Sequence, residues 1–441
     1  MKRKPRMLLA ILLVMATALS STACGEKDDG PIDPDRTGAL LTTVYPGLYE
    51  PSDPIGEKAY RQDFQPWDYE QSQKLGQAFC QSATPILREA GENPVCSPLG
   101  NYLICAMLAQ MSDGETRDEL LQAISCSGIE QVERESKQYY IQNFYCGNPG
   151  ALQFIDSVWL SKELSFQEQG VRDLIGKQYA TVWRDELTPK TSKRLVDRCF
   201  RDNANYHYER QKEKASFTLE PPLTLTQTLA FYGEWAENFS DFTTGTFTRR
   251  DGTQRETEYM HLQYSAQKFW QGEGYRASCL RLVSDDELIL ILPDDADALD
   301  ELLADGARLW KAIYEERQES ANGAFGIVDI TIPKFTLRTQ QSTIPAMEEM
   351  GVRSVFSPGA DLSVLTDAGD AWVKKIEQNI VVRVDHQGVN AKGYEERHWG
   401  AGYDTNRPRD FFGLILDRPF LVAVSGKGGL PVFVGVVNEP D

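Results

Sequence analysis

The chain has 441 residues, enough to bury a large core as one big domain or two ordinary ones. With 41% hydrophobic and 25% charged residues it is a globular body, which excludes a disordered tail. Its 65 Asp and Glu outnumber 46 Lys and Arg, for a net charge of −19. That balance excludes a nucleic-acid partner, which needs clustered cations, and no basic stripe appears beyond Met1–Arg6.

Met1 to Arg6 is a positively charged start, Met7 to Leu19 a short apolar run, and small residues lead to Cys24. This is the pattern of a signal peptide over 1–23, too short for a spanning helix. Ser21-Thr22-Ala23-Cys24 resembles a bacterial lipoprotein cleavage box, which implies a lipid on Cys24. Ser21 stands where that box prefers Leu or Val, so ordinary signal-peptidase cleavage stays open. The expectation is an exported chain, lipid-anchored at a bacterial outer membrane or cell surface, or else periplasmic or secreted. Residues 24–65, rich in Pro, Gly and Asp, read as a lipidated start and flexible linker, and 66–441 as the folded domain. The cysteines beyond Cys24 are seven and form no C-x-x-C, so they read as small buried apolar residues and not as a disulfide framework or metal site.

From Trp67 a helical stretch runs through Leu75, Phe79 and Leu87. Ser97-Pro98 opens a nearly all-apolar helix that Asp113-Gly114 ends, and Thr116 to Glu119 has the capping-box pattern of another. Leu152 to Leu160 alternates as a strand, and Lys193 to Tyr208 reads as a solvated surface helix. Thr224 to Tyr232 has too few charges to face water on either side. Gly252 to His261 reads as a hairpin arm, Glu287 to Leu292 as a buried strand and Asp300 to Glu316 as one surface helix. Val328 to Leu337, Val364-Leu365 and Val373 to Val384 complete the strands. Helices and strands mix without a β-α rhythm, which argues against a parallel doubly wound fold. After Asp385-His386-Gln387-Gly388 come about thirty loop-like residues, a length that in a compact domain points to function. Two strands split by Gly426, Gly428 and Gly429 then end the chain.

Enzyme signals are absent. Only four histidines exist, no G-x-S-x-G, H-E-x-x-H or P-loop appears, and Asp294-Asp295-Ala296-Asp297 lacks the later ligands of a calcium loop. No catalytic residue, cofactor or metal is expected.

Five regions, in order, resemble the serpins, protease inhibitors that present a long reactive loop as bait. They are Asn93 to Leu99 with Gly114 to Leu120, and Leu229 to Trp235 with Asn238-Phe239. Leu290-Ile291-Leu292-Pro293, Ile332-Pro333-Lys334-Phe335, and Met350 to Val352 with Phe356 to Ser363 complete the set. The resemblance implies an α+β fold, helices packed on three mainly antiparallel sheets with an exposed reactive loop, and a monomer whose partner is a serine or cysteine protease. It also implies suicide trapping: the protease cleaves the loop as an acyl-enzyme, and the freed half inserts into the main sheet before the enzyme deacylates.

The resemblance assigns Gly388 as the loop's hinge, followed by Val389, Asn390, Ala391, Lys392 and Gly393. Alternation sends Val389, Ala391, Gly393, Glu395, Arg397 and Trp399 to one face, and Asn390, Lys392, Tyr394, Glu396 and His398 to the other. Inhibitory members carry a run of alanines here, and bulky Lys392 and Tyr394 depart from it. A non-inhibitory serpin that binds, or is only cleaved as a substrate, is the alternative. Gly402, Tyr403, Arg409 and Arg397 are the candidate scissile residues, because counting from Gly388 and from Pro419 gives different bonds. Ser97 matches the serine of the family's shutter, Gly100 stands where a second serine is usual, and Gln227 and Gln378 replace Asn and His. The two amides are expected to face each other without a titrating group. Trp235 marks where the loop first enters the sheet.

Overall fold

A computed structural model of the protein describes residues 31–41, 67–88, 93–146, 150–203, 217–284, 286–315, 325–389 and 410–441. The helices are α1 (Tyr69–Arg88), α2 (Pro98–Met111), α3 (Gly114–Ala123), α4 (Ile129–Asn143) and α5 (Glu168–Lys177). They continue as α6 (Pro189–Asn203), α7 (Ala296–Leu302), α8 (Gly306–Ile313) and α9 (Ile344–Glu349). The strands begin with β1 (Gly38–Ala39), β2 (Val95–Cys96), β3 (Tyr145–Cys146), β4 (Gly150–Ser161), β5 (Thr181–Asp185) and β6 (Leu223–Glu234). Next come β7 (Asp241–Thr248), β8 (Gln254–Gly272), β9 (Tyr275–Arg281), β10 (Glu287–Pro293), β11 (Phe325–Pro333) and β12 (Phe335–Ser342). Last are β13 (Val373–Asp385), β14 (Gly388–Val389), β15 (Asp410–Ile415), β16 (Phe420–Ser425) and β17 (Pro431–Val437).

One sheet has the order β1-β5-β4-β6-β14-β13-β12, with β3 beside β4. The other runs β15-β11-β8-β9-β10-β16-β17-β2, with β7 beside β8. The first part of β8 bonds β7 and β11 and its last residues bond β9, so the two smaller sheets of the expected three share one long strand. Helix α2 starts cleanly because Ser97 Oγ accepts the Gly100 N–H at 2.9 Å and Pro98 sits in the first turn. Every residue of α2 is buried, among α1, α3, α4 and α5 and against β6 and β17. Strands β4 and β6 are buried on both faces, as the low charge of 224–232 requires. Cys80, Cys96, Cys105, Cys126, Cys199 and Cys279 are buried thiols, and burial pushes Cys96 and Cys105 up to about 12.

Several elements differ from expectation for identifiable reasons. Within the segment read as linker, residues 31–41 lie against the domain: β1 adds to the edge of β5, and Ile32, Leu40 and Leu41 are buried. The helix expected over 300–316 is two, because α8 starts where Gly306 meets Gln81; a Cβ on Gly306 would stand 2.2 Å from the Gln81 nitrogen. Val328 to Leu337 divides at Lys334 between the two sheets. Val364-Leu365 is a turn: the Leu365 carbonyl accepts from the Gln167 N–H at 2.7 Å, leaving no ladder to join. Thr116 does not cap α3, and its hydroxyl accepts the Asp361 N–H at 3.0 Å. The stretch read as thirty loop residues is shorter, because β14 and β15 pair at its two ends.

Candidate functional site

Strands β6 and β13 meet in the middle of the large sheet as a parallel pair within a mostly antiparallel array, from Val373 opposite Leu223 to Ile380 opposite Leu229. Beyond Ile380 and Leu229 they stop pairing, and β14 stands between them. Val389 is the partner of Gly233 on one side and Val384 on the other, and Gly388 of Glu234 and Asp385. The seam is therefore a fork, closed along most of its length and parted at one end by a strand antiparallel to both arms.

The turn feeding β14 is built by short-range bonds. Asp385 Oδ1 accepts the Gln387 N–H at 2.8 Å, and Gly388 has φ +152°, a conformation that strains a residue with a Cβ. Trp235, just past β6, donates its indole N–H to the Asp385 carbonyl at 2.8 Å and packs edge-on against Phe239, ring centres 5.8 Å apart. His386 packs edge-on against Phe242. The tryptophan thus ties the end of one arm to the turn that emerges from the other.

Deeper along the seam the sequence departures meet. Asp156, Gln227 and Gln378 are direct partners across β4, β6 and β13, so their side chains share one face, buried beside α2. Gln378 Nε2 donates to Gln227 Oε1 at 2.8 Å and to Asn101 Oδ1 at 3.2 Å, and its Oε1 accepts the Ser97 N–H at 3.4 Å. Gln227 Nε2 donates to Asp156 Oδ1 at 2.7 Å and to the Gly100 carbonyl at 3.2 Å. Both amides are fully satisfied, as a buried polar network must be. Ser97 Oγ donates to the Val432 carbonyl, joining α2 to β17.

The two amides face and bond each other as expected, but the row does not stop at them: it ends on a titrating group, Asp156, whose other oxygen accepts from the Tyr140 hydroxyl. Burial pushes the Asp156 carboxyl up to about 6, and the bonds from Tyr140 and Gln227 only partly offset it. Asp156, Asn101 and Tyr140 were not singled out in the sequence. The signal was available: the one charged residue inside the strand LQFIDSVWL.

Ser97, Gln227 and Gln378 are therefore brought together, Gly388 and Val389 stand at the fork, and Trp235 closes over it. Asn390, Ala391, Lys392, Gly393, Arg397, Gly402, Tyr403 and Arg409 lie outside the described residues, as does Cys24.

Residues 74–440 match the family model described as "Serpin (serine protease inhibitor)". A "Serine protease inhibitor" of Cyanea capillata is 22% identical over 366 residues, covering 80% of this chain and 94% of that protein. Among solved structures, the thermophilic serpin tengpin in its native state is similar with a TM-score of 0.69 at 19% identity, covering 90% of this chain and 97% of that one. Arabidopsis AtSerpin1 in its native stressed conformation also gives 0.69 at 19% identity, covering 84% and 98%. At these identities the structures speak for the fold alone, and the family model decides membership. The chain belongs to the serpins, a family of protease inhibitors and not of enzymes.

Proposed function

We propose that this chain is a suicide inhibitor that traps a serine or cysteine protease by inserting the segment after Gly388 into its large sheet. One observation carries the reading: β14 already stands antiparallel to both β6 and β13. Residues 390–392 would meet arms that are already unpaired, and from Gly393 on each further residue would replace one parallel β6–β13 pairing with two antiparallel ones, the more stable ladder per residue. A strand entering to the level of Gln227 and Gln378 moves them two strand spacings apart, about 9.5 Å, and breaks their bond. The amide pair is thus a latch on the closed sheet. After the protease has formed its acyl-enzyme on the loop, release of this latch draws it along the sheet and deforms its active site before water can free it.

A second reading is favoured by the residues that must enter. Lys392, Tyr394, Glu395 and Arg397 are bulky or charged, and slow entry lets an acylated protease escape, leaving a serpin that is only cleaved. One gel separates the two. Trapping gives an SDS-stable complex with a member of a panel of Arg- and Tyr-directed proteases, and a sharp rise in melting temperature once the loop is cut. Cleavage without either sign makes the chain a substrate.

The proposal extends to place, with the chain a monomer: export and a lipid on Cys24 at a bacterial outer membrane or surface are supported by the charged start, the apolar run and the box before Cys24. Cys24→Ser should move the protein from the membrane to the soluble fraction. An unchanged distribution removes the anchor and leaves a secreted or periplasmic chain.

A further inference from the structure

Three of the large apolar side chains exposed among the described residues gather on one face of the second sheet. Phe411 is 66%, Ile415 56% and Phe325 49% exposed. In the parallel pairing of β15 with β11, Phe411 is partnered by Ile327 and Ile415 by Thr331, so these residues point to the same side, with Phe325 next in the row. Gly413 lies between the two β15 side chains, and the Phe411 ring reaches to 3.9 Å from where a Cβ on Gly413 would stand. The acid in that row, Asp329, is bonded to His261. The opposite side of β15 is fixed: Leu414 is buried and Phe412 stacks on Phe269, ring centres 4.5 Å apart. This is a rigid apolar face on the strand that ends the sheet, and such a face left to water marks an interaction site.

We infer that this face docks the target protease itself, an endoprotease whose surface bordering the primed side of its cleft is apolar. The inference rests on the reading of residues 390–409 as bait, and the chain's geometry selects the occupant. That stretch ends at Asp410, the first residue of β15 and the neighbour of Phe411. A bond at Tyr403–Asp404 is at most about 26 Å from Phe411 along an extended chain. A protease of roughly 220 residues has a radius of gyration of about 17 Å, so an enzyme closed on the bait spans that distance. A second copy of this chain is disfavoured as occupant, since each copy carries −19.

The test uses the full chain, its Phe325→Ser/Ile327→Ser variant, and the protease that cuts the chain fastest, with its nucleophile replaced so that it binds without reacting. Both substitutions lie on β11, outside the bait, so they cannot act as subsite residues. The double variant should bind about tenfold more weakly, the equivalent of about 1.4 kcal/mol, and Phe411→Ser should weaken binding similarly. Equal affinities in variants whose melting is unchanged overturn the proposal. So does a wild-type dimer in sedimentation that the double variant dissolves, which assigns the face to self-association. Because binding is read with an inactive protease, a lack of SDS-stable complexes in the separate gel with active proteases sinks only the trapping mechanism. A panel in which no protease binds the wild type overturns both.

Discussion

Gly100 leaves the space that Gln227 fills: a Cβ on Gly100 would stand 2.2 Å from Gln227 Oε1, and 3.0 Å from Gln378 Nε2. The glycine on α2 and the long amides on β6 and β13 are therefore one compensated change. A shorter amide would leave the bridge unmade, and a larger residue on the helix would push the bridge apart.

Gly100→Ser should accordingly loosen the closed sheet. Overpacking of this kind costs about 1–3 kcal/mol, more than the roughly 0.5–1 kcal/mol a helix gains on losing a glycine. Gln227→Asn alone should also destabilise, by leaving Gln378 Nε2 and Asp156 short of partners. The double variant should recover part of both losses, because residues in one network couple by about 0.5–3 kcal/mol. Denaturant midpoints of the four proteins measure the coupling, and strictly additive losses would show that the two positions are independent.

Asp156 gives the fold a pH dependence whose sign is set by burial. Its carboxyl is raised from 3.8 to about 6, so the folded chain holds this proton more tightly than the unfolded chain. The contribution is fully present below the unfolded value and is lost as pH rises through about 6, a cost on the order of 3 kcal/mol when the group is ionised. Asp156→Asn keeps an acceptor for Gln227 and offers Tyr140 a donor in place of an acceptor. Its melting temperature should exceed that of the wild type at pH 7.5, and the gap should close at pH 5. A gap that is the same at both values would place the charge elsewhere.

How much of this was legible follows from what each feature needs. Strand β10 announces itself through an apolar run, β6 through its lack of charge and the end of β13 through period-two alternation, and α2 through Ser97-Pro98, because those signals are local. The facing of Gln227 and Gln378 came from family position, and their direct register bears it out. Asp156 was missed because a strand covered on both faces offers no polar side to explain an acid, and its partners are distant in sequence. Residues 31–41 were missed because two backbone pairings to β5 require no apolar pattern. The break before α8 depends on Gly306 meeting Gln81, a contact between distant segments.

The edge strand formed by residues 31–41 should matter for stability. Leu40 and Leu41 are buried, the Leu40 N–H donates to the Val182 carbonyl at 2.9 Å, and Arg184 donates to the carbonyls of Pro34 and Arg36. Full burial of a leucine contributes about 1.5–3 kcal/mol before chain entropy. Starting the chain at residue 42 should lower the melting temperature and open the β5 edge to association, seen as concentration-dependent light scattering. Leu40→Ser in the full chain should reproduce the thermal loss. A truncated protein that melts like the wild type would mean that β1 is not held in solution.

The register of β14 also says which residue should limit insertion. Continued residue by residue from Val389, the antiparallel ladder brings Glu395 directly opposite both Gln227 and Gln378, on the face where Asp156 is buried. Glu395 is outside the described residues, so this concerns the inserted state. There its carboxylate would enter a dry row that already holds an acid, ahead of Arg397 on the same face, and burying a charge before its cation arrives costs several kcal/mol. Entry should be slowed at this residue at neutral pH and ease on acidification, which neutralises Asp156 beside it. Glu395→Thr should therefore shift the outcome at pH 7.5 from cleaved substrate toward SDS-stable complex. The wild type should approach the variant's yield at pH 5.5 against a protease active at both values. Equal yields from the two proteins at pH 7.5 would show that the segment does not pass the amide pair in this register.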